Sequence, residues 1–151
     1  MRRLRAHRHA WSGLDRERGS ATLELAILAP ALLLLLGLVV LAGRVQMAAG
    51  AVEHAATSAA REASLARTVA GAQSTATSTA ARELEAQDIR CATSSVTVDT
   101  SGFGALLGQS ATISASVTCT VSFTDLAIPG LPGSRTLTAT AASPIDRFRA
   151  R

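Results

Sequence analysis

An α+β chain with one membrane-crossing helix is what three features of this sequence predict. They are an uncharged run of nineteen residues behind an arginine-rich start, a stretch of small residues at helical spacing, and a thirteen-residue alternation of apolar and hydroxyl side chains further on. The expected architecture is a long N-terminal transmembrane helix that extends outside the membrane, followed by a small three-stranded antiparallel sheet. Its expected boundaries are 1–19 for a basic leader, 20–43 for the transmembrane helix, 44–90 for an extracytoplasmic helical region and 91–151 for a β region packed on the helix.

Composition excludes several classes. A length of 151 residues allows one ordinary domain. The hydrophobic share is 48% but the aromatic share only 3%, with no Tyr, so the apolar content is Ala, Leu and Val, and a large enzyme-like core is not expected. All 15 basic residues are Arg; six lie in the first 19 positions against only Asp15 and Glu17, and that segment carries the whole formal +4. The remainder balances to zero, which argues against a basic nucleic-acid-binding face.

The uncharged run is Leu25–Gly43, LAILAPALLLLLGLVVLAG, closed by Arg44. At about 1.5 Å per residue it covers roughly 29 Å, close to the hydrocarbon thickness of a bilayer. It is longer than the apolar region of a usual secretory signal, although Ala48-Ala49-Gly50 imitates a cleavage site. The positive-inside rule keeps the arginine-rich side cytoplasmic and places the rest beyond the plasma membrane, where Cys91 and Cys119 meet oxidising conditions.

Past Arg44, Val45, Ala48, Val52, Ala55, Ala59, Ala63 and Ala66 recur at intervals of three and four. This predicts that the helix continues to about Arg67, a rod of roughly 70 Å. The stripe either packs on the protein's own sheet or meets other subunits. Gly71 interrupts the pattern, and Ser74 or Thr75 is placed to cap a second, shorter helix through Glu85; the Ser/Thr-rich stretch Ser74–Thr79 reads equally as a linker.

From Ala111 to Phe123 the odd positions are apolar and the even ones all Thr or Ser, the signature of a half-buried strand. Val96–Val98 precedes it and Leu137–Ala141 follows, with Ser101-Gly102, Gly104, Pro129-Gly130 and Pro132-Gly133 as turn residues. A meander needs a covering face, and the long helix is the only cover expected. Cys119 faces inward in this alternation. Cys91 is at odd separation from Val96, so it sits just before the strand or a bulge intervenes. A Cys91–Cys119 disulfide would close a loop of about 29 residues, contributing on the order of 3–4 kcal/mol; the other reading is two free thiols serving as small apolar residues.

No constellation for catalysis, metal or cofactor binding is visible, so no enzyme activity is expected. His7 and His9 lie in the leader, and His54 reads as a surface residue. Gly102, Gly104 and Gly108 bend a loop rather than cradle a phosphate. Phe103, Leu106 and Leu107 on that loop either touch a partner or fold back onto the sheet.

The leader ends in Arg18-Gly19-Ser20-Ala21-Thr22-Leu23-Glu24-Leu25. A Gly followed five residues later by Glu at the mouth of an apolar helix resembles the processing site of type IV prepilins. Together with AAREASLAR (Ala59–Arg67) and SPIDRFR (Ser143–Arg149), the chain is similar to TadE-like pseudopilins of tight-adherence (Flp-type) pilus systems. It departs from them at Leu41-Ala42-Gly43-Arg44, where aromatic and acidic residues are often seen. The resemblance implies cleavage by a prepilin peptidase between Gly19 and Ser20. It also implies a minor-pseudopilin role in pilus assembly or initiation, with other pseudopilins, the major pilin and the membrane assembly platform as partners. It further implies that Glu24 pairs with the new Ser20 amine of a neighbour; the plainer reading is an interfacial carboxylate favoured by the helix N-terminus. Rival readings are an uncleaved single-pass binding or sensor protein and a secreted domain.

Overall fold

The computed structural model of the chain describes residues 14–106, 108–124 and 133–147, with side chains described from Thr22 onward. Residues 1–13 of the expected leader, Leu107 and the Pro129–Pro132 turn lie outside these. The chain divides into two units, one reaching Val39 and the other starting at Val40. The first helix, α1 (Leu14–Leu65), passes through both.

The second unit holds the later part of α1, then α2 (Val69–Ala86), β1 (Cys91–Asp99), a short 3-10 turn (Ser101–Gly104), β2 (Thr112–Ser122) and β3 (Ser134–Pro144). The strands form an antiparallel meander in the order β1-β2-β3, as the alternation predicts. α1 stops at Leu65, close to the expected Arg67.

The start of α2 corrects the reading of this region. Thr68, in extended conformation, is the N-cap, and its Oγ1 accepts the Gly71 N–H at 3.0 Å. Gly71 therefore belongs to the first turn, where an added Cβ would lie 2.9 Å from that same hydroxyl oxygen. Ser74 and Thr75 are inside the helix rather than capping it, and the Ser/Thr stretch is helical rather than a linker. Its hydroxyls turn back onto the helix: Thr77 Oγ1 donates to the Gln73 carbonyl at 2.8 Å and Ser78 Oγ to that of Thr75 at 3.0 Å. What makes the segment a helix is burial, since Ala72, Ala76, Ala80 and Leu84 line one face and are all covered.

The helix ends as regularly as it begins. The Asp88 N–H donates to the Glu85 carbonyl and the Ile89 N–H to the Leu84 carbonyl, both at 2.9 Å, with Asp88 at φ 55°. This is the left-handed closure, with Asp in the place that glycine usually takes.

The core joins all three layers. Ala51, Val52, Ala55, Ala56, Ala59, Ala60 and Ala63 of α1 share one cluster with the buried face of α2 and with Ile113, Ala115, Val117 and Cys119 of β2. The buried face of α1 is thus two residues wide, taking in Ala51 and Val52, Ala55 and Ala56, and Ala59 and Ala60. It is buried by the protein's own elements, and the long helix is not the only cover. The largest fully buried side chains are Ile113, Val52, Val117 and Cys119, so small residues fill the core in place of interlocking rings.

Tail and helix meet at Ser64 and Ser143, whose hydroxyl oxygens are 3.1 Å apart, while Ser64 donates to the Arg61 carbonyl. Ile145 in the tail is buried against Gly102, where any Cβ would run into the Thr112 carbonyl. Two of the segments that carry the pseudopilin resemblance, Ala59–Arg67 and the Ser143 tail, are therefore in direct contact. Phe103 folds back onto the core, whereas Leu106 is exposed.

Candidate membrane and processing site

The candidate site lies in the first unit. α1 begins at Leu14, so the Gly19–Ser20 bond sits in helical backbone and the helix starts earlier than the expected boundary at Ser20. Glu24 is exposed and follows Ser20 by four residues, about one turn or roughly 6 Å along the axis. It is the only ionisable residue between Arg18 and Arg44.

Around Glu24 the helix is apolar on every side and nothing in the described chain covers it. Leu25 and Leu33 are each 68% exposed, and even Leu38, near its end, is 46% exposed. The helical stretch Thr22–Leu65 is long and apolar enough to cross a membrane, and its most apolar window is entirely unburied. A helix that is hydrophobic all round is stable only in an apolar surround, and water does not supply one. Pro30, inside this stretch, has no N–H for the turn before it, a break that membrane helices tolerate more readily than soluble ones.

The other expected site residues lie in the second unit. Cys91 and Cys119 form a disulfide, with Cα atoms 5.3 Å apart. Cys91 lies within β1, not before it, and a bulge between Cys91 and Thr93 turns it to the side of Cys119. His54 is on the surface, its Nδ1 3.3 Å from Glu83 Oε2 of α2. Among the described residues no group of three His, Cys, Asp or Glu is placed to hold a metal ion. An open cleft beside the α2–β1 turn is lined by Arg44, Met47, Asp88, Arg90 and Phe123, and contains neither His nor Cys.

Two features escaped the sequence reading. Gln73 of α2 bonds the edge of β1 through its side-chain amide, with Nε2 donating to the Val96 carbonyl at 2.8 Å and Oε1 accepting the Val98 N–H at 3.2 Å. Nothing in its sequence neighbourhood marks it. Asp99 accepts the Ser101 N–H at 2.9 Å and is held below the usual carboxylate range by that backbone bond and by the Ser101 side chain; here an Asp two residues before a Ser-Gly turn was a readable signal.

Fold and site define a class: an α+β protein that carries, among its described residues, one helix suited to membrane anchoring. A family model narrows it, because residues 19–61 match TadE-like proteins. The chain thus carries a TadE-like segment that opens on Gly19, takes in Glu24 and the whole apolar run, and ends on the buried stripe of α1 before α2 and the sheet begin. No curated protein and no solved structure matches the chain.

Proposed function

We propose that this protein is a minor pseudopilin of a tight-adherence pilus, held in the plasma membrane by α1 and taking part in pilus assembly or initiation. The observation that carries the reading is an uncovered apolar helix with one carboxylate, Glu24, at the fifth position after Gly19, inside a TadE-like segment. The arginine-rich leader stays cytoplasmic and the disulfide-bonded unit lies outside. A prepilin peptidase removes residues 1–19. The new Ser20 amine, near pKa ~8 if unperturbed, is mostly protonated at neutral pH. It pairs with Glu24 of a neighbouring subunit, a pairing that offsets the cost of about 2.5–3.5 kcal/mol for a lone carboxylate inside the bilayer. Other pseudopilins, the major pilin and the assembly platform are the partners. Cleavage requires the helix to open around Gly19, which its position near the α1 terminus favours.

Helical backbone across Gly19-Ser20 favours a second reading, an uncleaved anchored binding or sensor protein. N-terminal sequencing of the chain from its native host, with and without the prepilin peptidase, separates the two. A mature terminus at Ser20 that depends on the peptidase supports the pseudopilin. A terminus at Met1 selects the anchor, and one near Gly50 a secreted domain.

A further inference from the structure

The two halves of the Cys91–Cys119 bridge meet different surroundings. Cys119 sits in the central strand, opposite Ser94 of β1 and Leu137 of β3, and is wholly buried in the cluster that β2 forms with α1 and α2. Cys91 opens β1, an edge strand, and is only partly buried. Against it lies an open cleft of about 480 Å³, lined also by Leu84, Glu85, Asp88, Arg90 and Ser94. The lining comes from α2, the turn after it and β1, with no described residue of β2, so the cleft lies on the flank of Cys91 that faces away from Cys119.

A disulfide is exchanged by a thiolate that attacks one of its sulfurs in line with the bond, and the other sulfur leaves. Behind Cys91 the cleft is open, whereas behind Cys119 lie the packed residues of the core. Leaving-group quality favours the opposite order, because a thiolate released at Cys119 is desolvated and its pKa is raised. Access decides between them. Reaching Cys119 means opening the core, the most costly local motion a domain makes. The same desolvation slows reduction and favours reclosure, so the bridge persists once formed.

We propose that Cys91 is the exchange site of this bridge, the residue that forms a mixed disulfide with an external thiol–disulfide oxidoreductase, and that Cys119 is its resolving thiol. In the forming direction the Cys91 thiolate attacks the external disulfide, and one external sulfur leaves with the electron pair. Cys119, having lost its proton, then attacks Cys91 Sγ and expels the second external sulfur. The two protons given up by the cysteines end on the two expelled sulfurs, so the external disulfide is reduced to a dithiol as the bridge is oxidised. Breaking the bridge runs the same steps in reverse. The inference rests on the bridge and stands whether or not the pilus reading holds.

The test uses the full oxidised chain in detergent micelles and 2-mercaptoethanol, an uncharged probe chosen because Glu85 and Asp88 share the cleft with Arg90. A monothiol carries the exchange to the mixed disulfide. After acid quenching and alkylation, peptide mass spectrometry should find the adduct on Cys91 and a free thiol, now alkylated, on Cys119. An adduct on Cys119, equal adducts on both, or no adduct under excess thiol while circular dichroism shows the chain folded overturns the proposal. Two variants give a second reading. The Cys91 thiol in Cys119→Ser should alkylate at least about tenfold faster than the Cys119 thiol in Cys91→Ser, because a buried thiol reacts only through local opening. In denaturant the two rates should converge. Equal native rates in two folded variants overturn the proposal as well. Should either variant not fold, the position of the adduct in the wild-type chain decides alone.

Discussion

Cys91 and Cys119 are bonded across β1 and β2 because one extra residue, Ala92, sits between the pairs Cys91–Val121 and Thr93–Thr120. Strand side chains alternate with period two. Were Ala92 paired as an ordinary strand residue, Cys91 would share the face of Thr93 and Ser95 and point away from the core side on which Cys119 is wholly buried. The bulge therefore carries the only covalent tie among the described residues, in a core whose bulk is mostly alanine.

Deleting Ala92 places Cys91 next to Thr93, opposite Val121 and still on the core face, so the bridge should form without the bulge, read by mass spectrometry under non-reducing conditions. Cys91→Ser, which keeps the bulge, should cost about 2–5 kcal/mol of stability in denaturant titration, the usual range for a native bridge in a small domain. Two alkylatable thiols in the deletion variant would show that the bulge geometry itself is needed to bring the sulfurs together.

Asp88 closes α2 at φ 55°, a conformation that costs an ordinary side chain free energy and glycine little. Asp88→Gly should raise stability by about 0.5–1 kcal/mol, and Asp88→Ala should lower it, with the melting temperatures moving in opposite directions.

Ala55 is fully buried where α1 meets the rest of the core. Replacing it with Leu inserts bulk into a fully buried site, at an expected cost of about 1–3 kcal/mol. The same change at exposed Thr57 should be nearly neutral, which calorimetry on the pair will separate.

The depressed Asp99 carboxyl predicts a pH dependence of definite sign. Its folded-state value lies below the unfolded one, because the Ser101 N–H and hydroxyl bond the ionised form. The contribution is fully present above the ordinary carboxylate range near pH ~4 and is lost as pH falls through the lowered value. Asp99→Asn should flatten the acid limb of the stability profile by lowering the neutral-pH midpoint slightly while leaving stability below the carboxylate range unchanged.

Glu24→Ala is expected to insert and be processed normally yet to abolish surface piliation, with Glu24→Asp impaired because its carboxylate reaches less far. Replacing Gly19 with a bulky residue should leave full-length precursor in the membrane. Pilus yield measured against the level of processed chain tests both. Wild-type piliation with Glu24→Ala would leave the carboxylate as an interfacial bystander.

What could be read without coordinates is what periodicity and run length encode locally. The uncharged Leu25–Gly43 run required a helix with an apolar surround, the Ala111–Phe123 alternation required a half-buried strand, and the spacing of Ala48, Ala55 and Ala63 required one buried helical face; each requirement is a property of neighbouring side chains along one element. The extent of α2 was not legible, because Ser74–Thr79 has weak helix propensity and becomes helical only when Ala72, Ala76 and Ala80 find cover. The face of Cys91 was not legible either, since a single unpaired residue reverses every parity argument that crosses it. Nor was the bonding of the β1 edge. Gln73 lies more than twenty residues from Val96 and Val98 in sequence, and only the packing of α2 beside β1 brings its amide to that edge.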